Sequence, residues 1–307
     1  VNRVLRKIAS TLLAAAGALL LVSVFLDLVP GDPVDAILGE QAMEADREAL
    51  RKALHLDRSV WVRTAYFVRD ALGLDLRSSV PPFQDRVFDR IAQAFPRTAL
   101  LALTSLAFAL TIALPLGVAA ALRPRTVVDM LASAFAVLGA ALPRIWIGPL
   151  FILAFAIHLD WLPVSGFESA RSLVLPTATL GLALAAFLAR MIRASLLDTL
   201  GEDFVRTARA KGLHPTRVLF LHAFPSALLP VLTVVGLQLG ALLGGAVVTE
   251  KVFDYPGMGS LLLQAIDRRD YNMVRACVLA FTFSYLLVNL LTDLAYQAVD
   301  PRTRERN

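Results

Sequence analysis

The chain has 307 residues, 57% of them hydrophobic and 18% charged, with a formal net charge of +5 and a mean hydropathy of +0.65. A water-soluble domain of this size has no interior large enough to hide so much apolar surface, so lipid acts as solvent for much of it. The basic excess is not a nucleic-acid footprint, because no basic patch interleaved with stacking aromatics occurs. The single cysteine, Cys277, excludes an intrachain disulfide and reads as inert packing.

In chain order, apolar runs near the roughly 20 residues that cross a bilayer lie at 9–29, 97–122, 127–157, 173–197, 226–249 and 274–298. They predict an all-α membrane protein of six transmembrane helices. Arg3, Arg6 and Lys7 precede the first run. They would suit a signal peptide, but Val22 to Pro30 offers no small-x-small cleavage site, so an uncleaved first span is expected. Segment 30–96 opens on the rigid turn Pro30-Gly31-Asp32-Pro33. Helices are expected over Met43–Leu56, Val60–Leu72 and Phe83–Phe95. This segment reads either as a plain helical cap or as an outer gate and dock for a delivering protein.

The third run is too long for one upright span, so it should tilt, kink at Pro143 and Pro149, or lie at the interface. It contains Arg144 and Trp146 between those prolines, where freed backbone carbonyls make an irregular site facing protein or water. Arg144 could pair with Asp293 or Glu250, or face a pathway. Leu162-Pro163-Val164-Ser165-Gly166 and Phe253-Asp254-Tyr255-Pro256-Gly257-Met258-Gly259 read as turn-rich loops, the second forbidding a continued helix. On the later spans Gln238, Asn289 and Asp293 could hydrogen-bond between helices, and Gly236, Gly240, Gly244 and Gly245 could let helices approach closely.

Charge sets the topology. The basic clusters at Arg3–Lys7, Arg123 with Arg125, Arg206–Arg217 and Arg302–Arg306 fall on one side if there are six spans. Both termini are then cytoplasmic, and the span count places 30–96 outside.

Stretch 198–225 holds the densest charge. Glu202 and Asp203 suit a helix N-terminus, and Gly212 suits its stop. A helix of about ten residues is too short to stand alone in water. It must pack on something: Ala208 and Ala210 permit close approach, and Phe204, Val205 and Leu213 offer apolar anchors. The alternative is a solvated basic loop that obeys the topology rule.

Arg206-Thr207-Ala208-Arg209-Ala210-Lys211-Gly212-Leu213, followed by His222-Ala223-Phe224-Pro225, resembles the coupling loop of ABC-transporter permeases. It is most similar to the B-type permease of dipeptide, oligopeptide and nickel importers, in which Arg206 replaces the Glu of the general motif Glu-Ala-Ala-x-x-x-Gly. The likeness includes Ala189-Arg190-Met191-Ile192-Arg193, Val235-Gly236-Leu237-Gln238-Leu239-Gly240, Arg269-Asp270-Tyr271, Val288-Asn289-Leu290-Leu291-Thr292-Asp293 and Asp300-Pro301-Arg302. Departures are Gly73-Leu74-Asp75-Leu76-Arg77, where the family tends to Gly-Asp-Leu-Gly, and Arg144, where an uncharged residue is more usual.

The resemblance implies a layout of N-terminus and first span (1–29), extracytoplasmic helical insertion (30–96) and a five-helix permease core (97–307) including coupling loop 198–225. It implies that Glu202, Asp203, Arg206, Thr207, Ala208, Arg209, Ala210, Lys211, Gly212 and Leu213 couple to an ATPase; the expectation that Arg144, Trp146 and Gln238 line the substrate pathway rests on the residues themselves, not on the resemblance. Implied partners are a homologous C-type permease, two ATPase subunits, an extracytoplasmic substrate-binding protein and membrane lipid, with no nucleic acid. ATP and magnesium belong to the ATPases, and this chain is expected to hold no cofactor or metal. The setting is a bacterial or archaeal plasma membrane and the cargo di- or oligopeptides, with nickel chelates or glutathione as alternatives.

Two other classes compete. Against an enzyme, no His-Glu-x-x-His or Gly-x-Ser-x-Gly occurs, and the His residues at 55, 158, 214 and 222 are dispersed. Against an ATP-independent channel or secondary carrier, intramembrane carboxylates are scarce and no inverted repeat is evident. No Gly-x4-Gly-Lys-Ser/Thr loop occurs, so ATP hydrolysis by the usual route must come from another subunit.

Overall fold

The structure, a computed structural model, describes residues 2–28, 33–39, 42–73, 75–80 and 85–299. The regular elements are helical, with one antiparallel bridge between Arg77 and Arg86 among the described residues. Helix α1 (Asn2–Leu28) is followed by the short α2 (Pro33–Leu38), α3 (Glu44–Ala53) and α4 (Val60–Leu72). Next come α5 (Val87–Leu122), α6 (Val127–Ala141) and α7 (Arg144–Phe151), which runs into a π-helical segment, Ile152–His158. A 3-10 turn leads into α8 (Val174–Leu200). Then α9 (Asp203–Ala210) and α10 (Pro215–Arg217) precede a second π-helical segment, Val218–Ala223, and α11 (Phe224–Gly245). Helices α12 (Val247–Val252), α13 (Met258–Asp267) and α14 (Tyr271–Val299) complete the order.

Among the described residues, four helical stretches are long and apolar enough to cross a membrane: Val87–Leu122, Ala170–Leu200, Pro215–Gly244 and Tyr271–Leu294. A fifth arises if Val127–Ala141 and Ile145–His158, bent 106° apart, form one broken span. The apolar stretch of α1, Leu12–Leu28, is shorter. The break in the third run falls at Pro143, whereas Pro149 sits inside α7 without ending it. Pro143 takes the N-cap position with extended backbone (ψ 127°), where a missing N–H costs nothing to the helix that follows.

The chain divides into two compact units. The first comprises Val1–Thr98 with Pro256–Leu286. Its apolar core gathers Leu19, Phe67, Leu76, Val87, Met258 and Cys277. Helix α4 has the bounds expected of it. The helix expected over Met43–Leu56 ends earlier, because His55 leaves it at φ 54° while the N–H groups of His55 and Leu56 close on the carbonyls of Lys52 and Arg51. Pro30, Gly31 and Asp32 lie outside the described residues; Pro33 opens α2, a position that suits its fixed φ. The helix expected over Phe83–Phe95 begins outside the described residues, and it is no separate element, since α5 continues through Pro96. Two side chains just beyond that proline hold the backbone of the 256–258 turn: Arg97 donates to the Pro256 carbonyl (3.3 Å), and Met258 N–H donates to Thr98 Oγ1 (2.8 Å). Asp270 accepts from Ser78 Oγ, Ser79 N–H (2.9 Å) and Met273 N–H (3.1 Å), the last capping α14.

The second unit comprises Ala99–Tyr255 with Leu287–Asn307. Its core is built on α5, α8 and α11, through Leu101, Ala109, Leu184, Leu188, Ile192 and Val231. Arg193 on α8 grips Asp129 in the first turn of α6 through Nε and Nη2, the latter at 2.8 Å from Oδ2, and Asp129 also accepts the Arg125 N–H at 2.9 Å. The stripe of glycines on α11 is only partly an approach surface. A side chain at Gly236 would meet Thr292, but Gly244 has nothing within 4 Å of where its Cβ would stand. The two turn-rich loops meet, with Gly166 N–H donating to the Phe253 carbonyl (2.9 Å) and Phe167 edge-on to Tyr255. The helix does stop before Pro256-Gly257, as expected, at the end of α12.

Candidate functional site

Helix α9 is where the charged stretch becomes structure. Glu202 takes the N-cap position with extended backbone (φ −69°, ψ 151°), and Asp203 places a carboxylate in the first turn. Thr207 Oγ1 donates to the Asp203 carbonyl at 2.9 Å. The Arg206–Asp203 pair at 3.4 Å is exposed and contributes little. The helix stops where Gly212 adopts φ +73°. Gly212 N–H then closes on the Arg209 carbonyl (3.0 Å) and Leu213 N–H on that of Ala208 (3.4 Å), which together make a Schellman motif.

One stripe of this short helix faces its own chain. Val205 is fully buried and Ala208 nearly so, packed with Ala121, Leu196, Val218, Leu219 and Ala223, and half-buried Leu213 closes the cluster. Burying a valine side chain contributes about 1.5–3 kcal/mol, which offsets the cost of ordering a helix too short to persist alone. Val205, Ala208 and Leu213 thus find their packing partners within the second unit and hold α9 there. Phe204, Arg206, Thr207, Arg209, Ala210 and Lys211 are exposed.

The stretch His222-Ala223-Phe224-Pro225 is not a loop terminus. It lies within the continuous helical stretch Pro215–Gly244. Pro225 has no N–H, and its ring would crowd the carbonyl four residues back. The wider π-helical turn over Val218–Ala223 lies immediately before it, and such turns relieve this kind of conflict.

Of the expected pathway residues, Gln238 lines a cavity of about 430 Å³ in the second unit, walled by Gly139 and Pro143 near α6, Phe187 and Arg190 on α8, and Gln238 on α11. Trp146 is 65% exposed and is not part of that wall. The backbone of Arg144 opens α7, but its side chain lies outside what the structure describes, and so does any pairing with Asp293 or Glu250. Sequence reasoning passed over Arg190 as a wall residue. The available signal was a second arginine three positions before Arg193 inside one apolar run.

Residues 113–305 match the family described as binding-protein-dependent transport system inner membrane component. That stretch contains α9 and every residue named on the cavity wall. The glutathione transport system permease protein GsiC of Escherichia coli is 39% identical over 288 residues, covering 92% of each chain. Its namesake in Salmonella typhimurium is 37% identical over 303 residues, covering 99% of each. Among solved structures, an inward-facing form of the MetNI methionine ABC transporter matches with a TM-score of 0.57 at 19% identity, over 69% of this chain and 96% of that one. An amino acid ABC transporter with histidines matches with a TM-score of 0.56 at 13% identity, over 69% and 94%. At those identities the structural likeness is one of fold.

Proposed function

The chain belongs to the family of binding-protein-dependent transport system inner membrane components, and from that premise we propose that it supplies half of a pathway importing short peptides, with α9 receiving the drive from an ATPase. It is an ABC importer permease subunit. The observation that carries the finer reading is the geometry of α9: a capped helix, pinned by Val205 and Ala208, that presents an outward face of Phe204, Ala210 and basic side chains. A solvated topology loop needs neither the buried pins nor the Schellman stop.

In this reading a C-type permease completes the pathway, two ATPase subunits bind ATP and magnesium at the cytoplasmic face, and a binding protein delivers cargo outside. Six spans cross the plasma membrane with both termini in the cytoplasm; 30–96 forms the outer insertion and 97–307 the core. ATPase closure displaces α9, and because α9 is packed against the segment that begins α11, the spans move with it between inward- and outward-facing states. The cavity bearing Arg190 and Gln238 lies on the pathway. Glutathione is the first cargo to test, because the relatives named above are glutathione permeases; other short peptides follow.

Ala210→Cys tests the drive, since Ala210 is exposed where Ala208 is not. It is crosslinked to single cysteines in the ATPase groove, with and without ATP. A nucleotide-sensitive crosslink supports the reading. Its absence in a complex shown to be assembled refutes the coupling role and returns the field to ATP-independent channels and carriers.

A further inference from the structure

The first unit contains a cavity of about 340 Å³, bounded by the end of α3, by α4, by the Asp75–Ser79 segment and by the start of α14. Its wall is unusually rich in guanidinium groups: Arg63, Arg77, Arg269 and Arg275. Arg275 is only 4% exposed, yet among the described residues its Nε and Nη2 have no hydrogen-bond partner, and neither does Nε of Arg63. The Phe67 ring, 5.8 Å from the Arg275 guanidinium carbon, supplies a cation–π contact but accepts no N–H in the plane of the guanidinium.

The carboxylates around it are otherwise engaged. Asp27 is taken by Arg63, Asp75 by Arg77 at 3.3 Å, and Asp270 by Ser78 and Ser79. Asp70 lies on the wall but is exposed and makes no ion pair among the described residues. A buried cation with two donors unmatched among the described residues is a costly state, since no protein acceptor returns the hydrogen bonds those donors lost on leaving solvent. Nε and Nη2 form the side-on edge of the guanidinium, which matches the two oxygens of a single carboxylate. A neutral acceptor would satisfy one donor and leave the charge uncompensated.

We propose that this cavity is a binding site for a small carboxylate-bearing ligand, whose carboxylate is taken by Arg275 with Arg63 beside it. Because Nε and Nη2 are closed to solvent, the guanidinium turns toward the cavity to take the ligand. The wall can also seat the rest of such a molecule: Tyr66, stacked on His55 at 4.6 Å, gives an aromatic surface, and Leu50 an apolar one. The site belongs to the first unit and the cavity of Arg190 to the second. The inference borrows from the reading above only its choice of first probe.

The test uses the full chain in nanodiscs of zwitterionic phosphatidylcholine, without ATPase, so its failure leaves the transport reading standing. Reduced glutathione is expected to raise the melting temperature, and its diethyl ester, with both carboxylates blocked, to leave it unchanged. Arg275→Gln is expected to melt above wild type when empty and to gain nothing from glutathione. Arg63→Gln, measured by calorimetry as a second variant, is expected to weaken binding at least ~10-fold, as loss of a charge-assisted partner does. The proposal is overturned if glutathione, diglycine and acetate all leave wild type unmoved, if the ester acts as well as the acid, or if both arginine variants respond as wild type does. Abolition of the response in phosphatidylglycerol nanodiscs also overturns it, because the site would then belong to a lipid headgroup phosphate.

Discussion

Gly212→Ala isolates what holds α9 in place. Gly212 has φ +73°, and nothing lies within 4 Å of where a Cβ would stand, so the substitution adds no clash and its cost is purely that of the backbone. An L-residue held in the left-handed region costs about 1–2 kcal/mol. The closing bond from Leu213 N–H to the Ala208 carbonyl depends on that φ. The full cost therefore falls on the local opening of residues 203–213. A destabilisation of that size raises the open population about 5- to 30-fold, and amide exchange over this segment should quicken by the same factor. The global melting temperature should hold, because the core on α5, α8 and α11 does not include Gly212. Asn, which tolerates the left-handed region better, should give a smaller effect. Exchange by mass spectrometry on the purified chain decides the matter. Unchanged exchange in Gly212→Ala would refute the Schellman account, and so would a fall in global stability as large as the local one.

Two further substitutions probe the second unit. Asp129→Asn removes a carboxylate that is only 9% exposed and leaves Arg193, itself 30% exposed, without its counter-charge; the loss should lower the melting temperature measurably, though by less than breaking a fully buried pair would. A thermal melt reads it, with Arg193→Met on the Asp129→Asn background recovering part of the loss, and a wild-type melt for Asp129→Asn contradicting it. Gly236→Ala drives a methyl group into Thr292 and should cost about 1–3 kcal/mol, while Gly244→Ala, in open space, should cost nothing; equal melts for the pair would remove the close approach from the account.

Periodicity carried far where it met local chemistry. The bounds of α4, the stop at Gly212, the break at Pro143 and the turn before Met258 follow from residues next to one another in the chain. Misjudged elements depended on partners far away. The helix expected to end at Phe95 runs on through Pro96, and side chains just beyond it, Arg97 and Thr98, meet the backbone of the 256–258 turn some 160 positions later. What α9 packs against was hidden for a related reason: its sequence shows which residues are apolar, but not that Leu219 and Ala223 lie beneath Val205 and Ala208. Each of the Asp129–Arg193 clasp and the idle edge of Arg275 is invisible in any window of the sequence, being defined by which acids end up near and which are already engaged.

Cys277 is fully buried in the first unit's core. As the chain's single cysteine, it is a silent background for labelling: a maleimide kept to the aqueous phase does not reach it. Any one thiol introduced at an exposed position then reports alone, on the parent chain and with no core residue replaced. Sidedness, groove contacts and opening of the helices can all be mapped in one chemical dialect, with unlabelled parent protein as its own control.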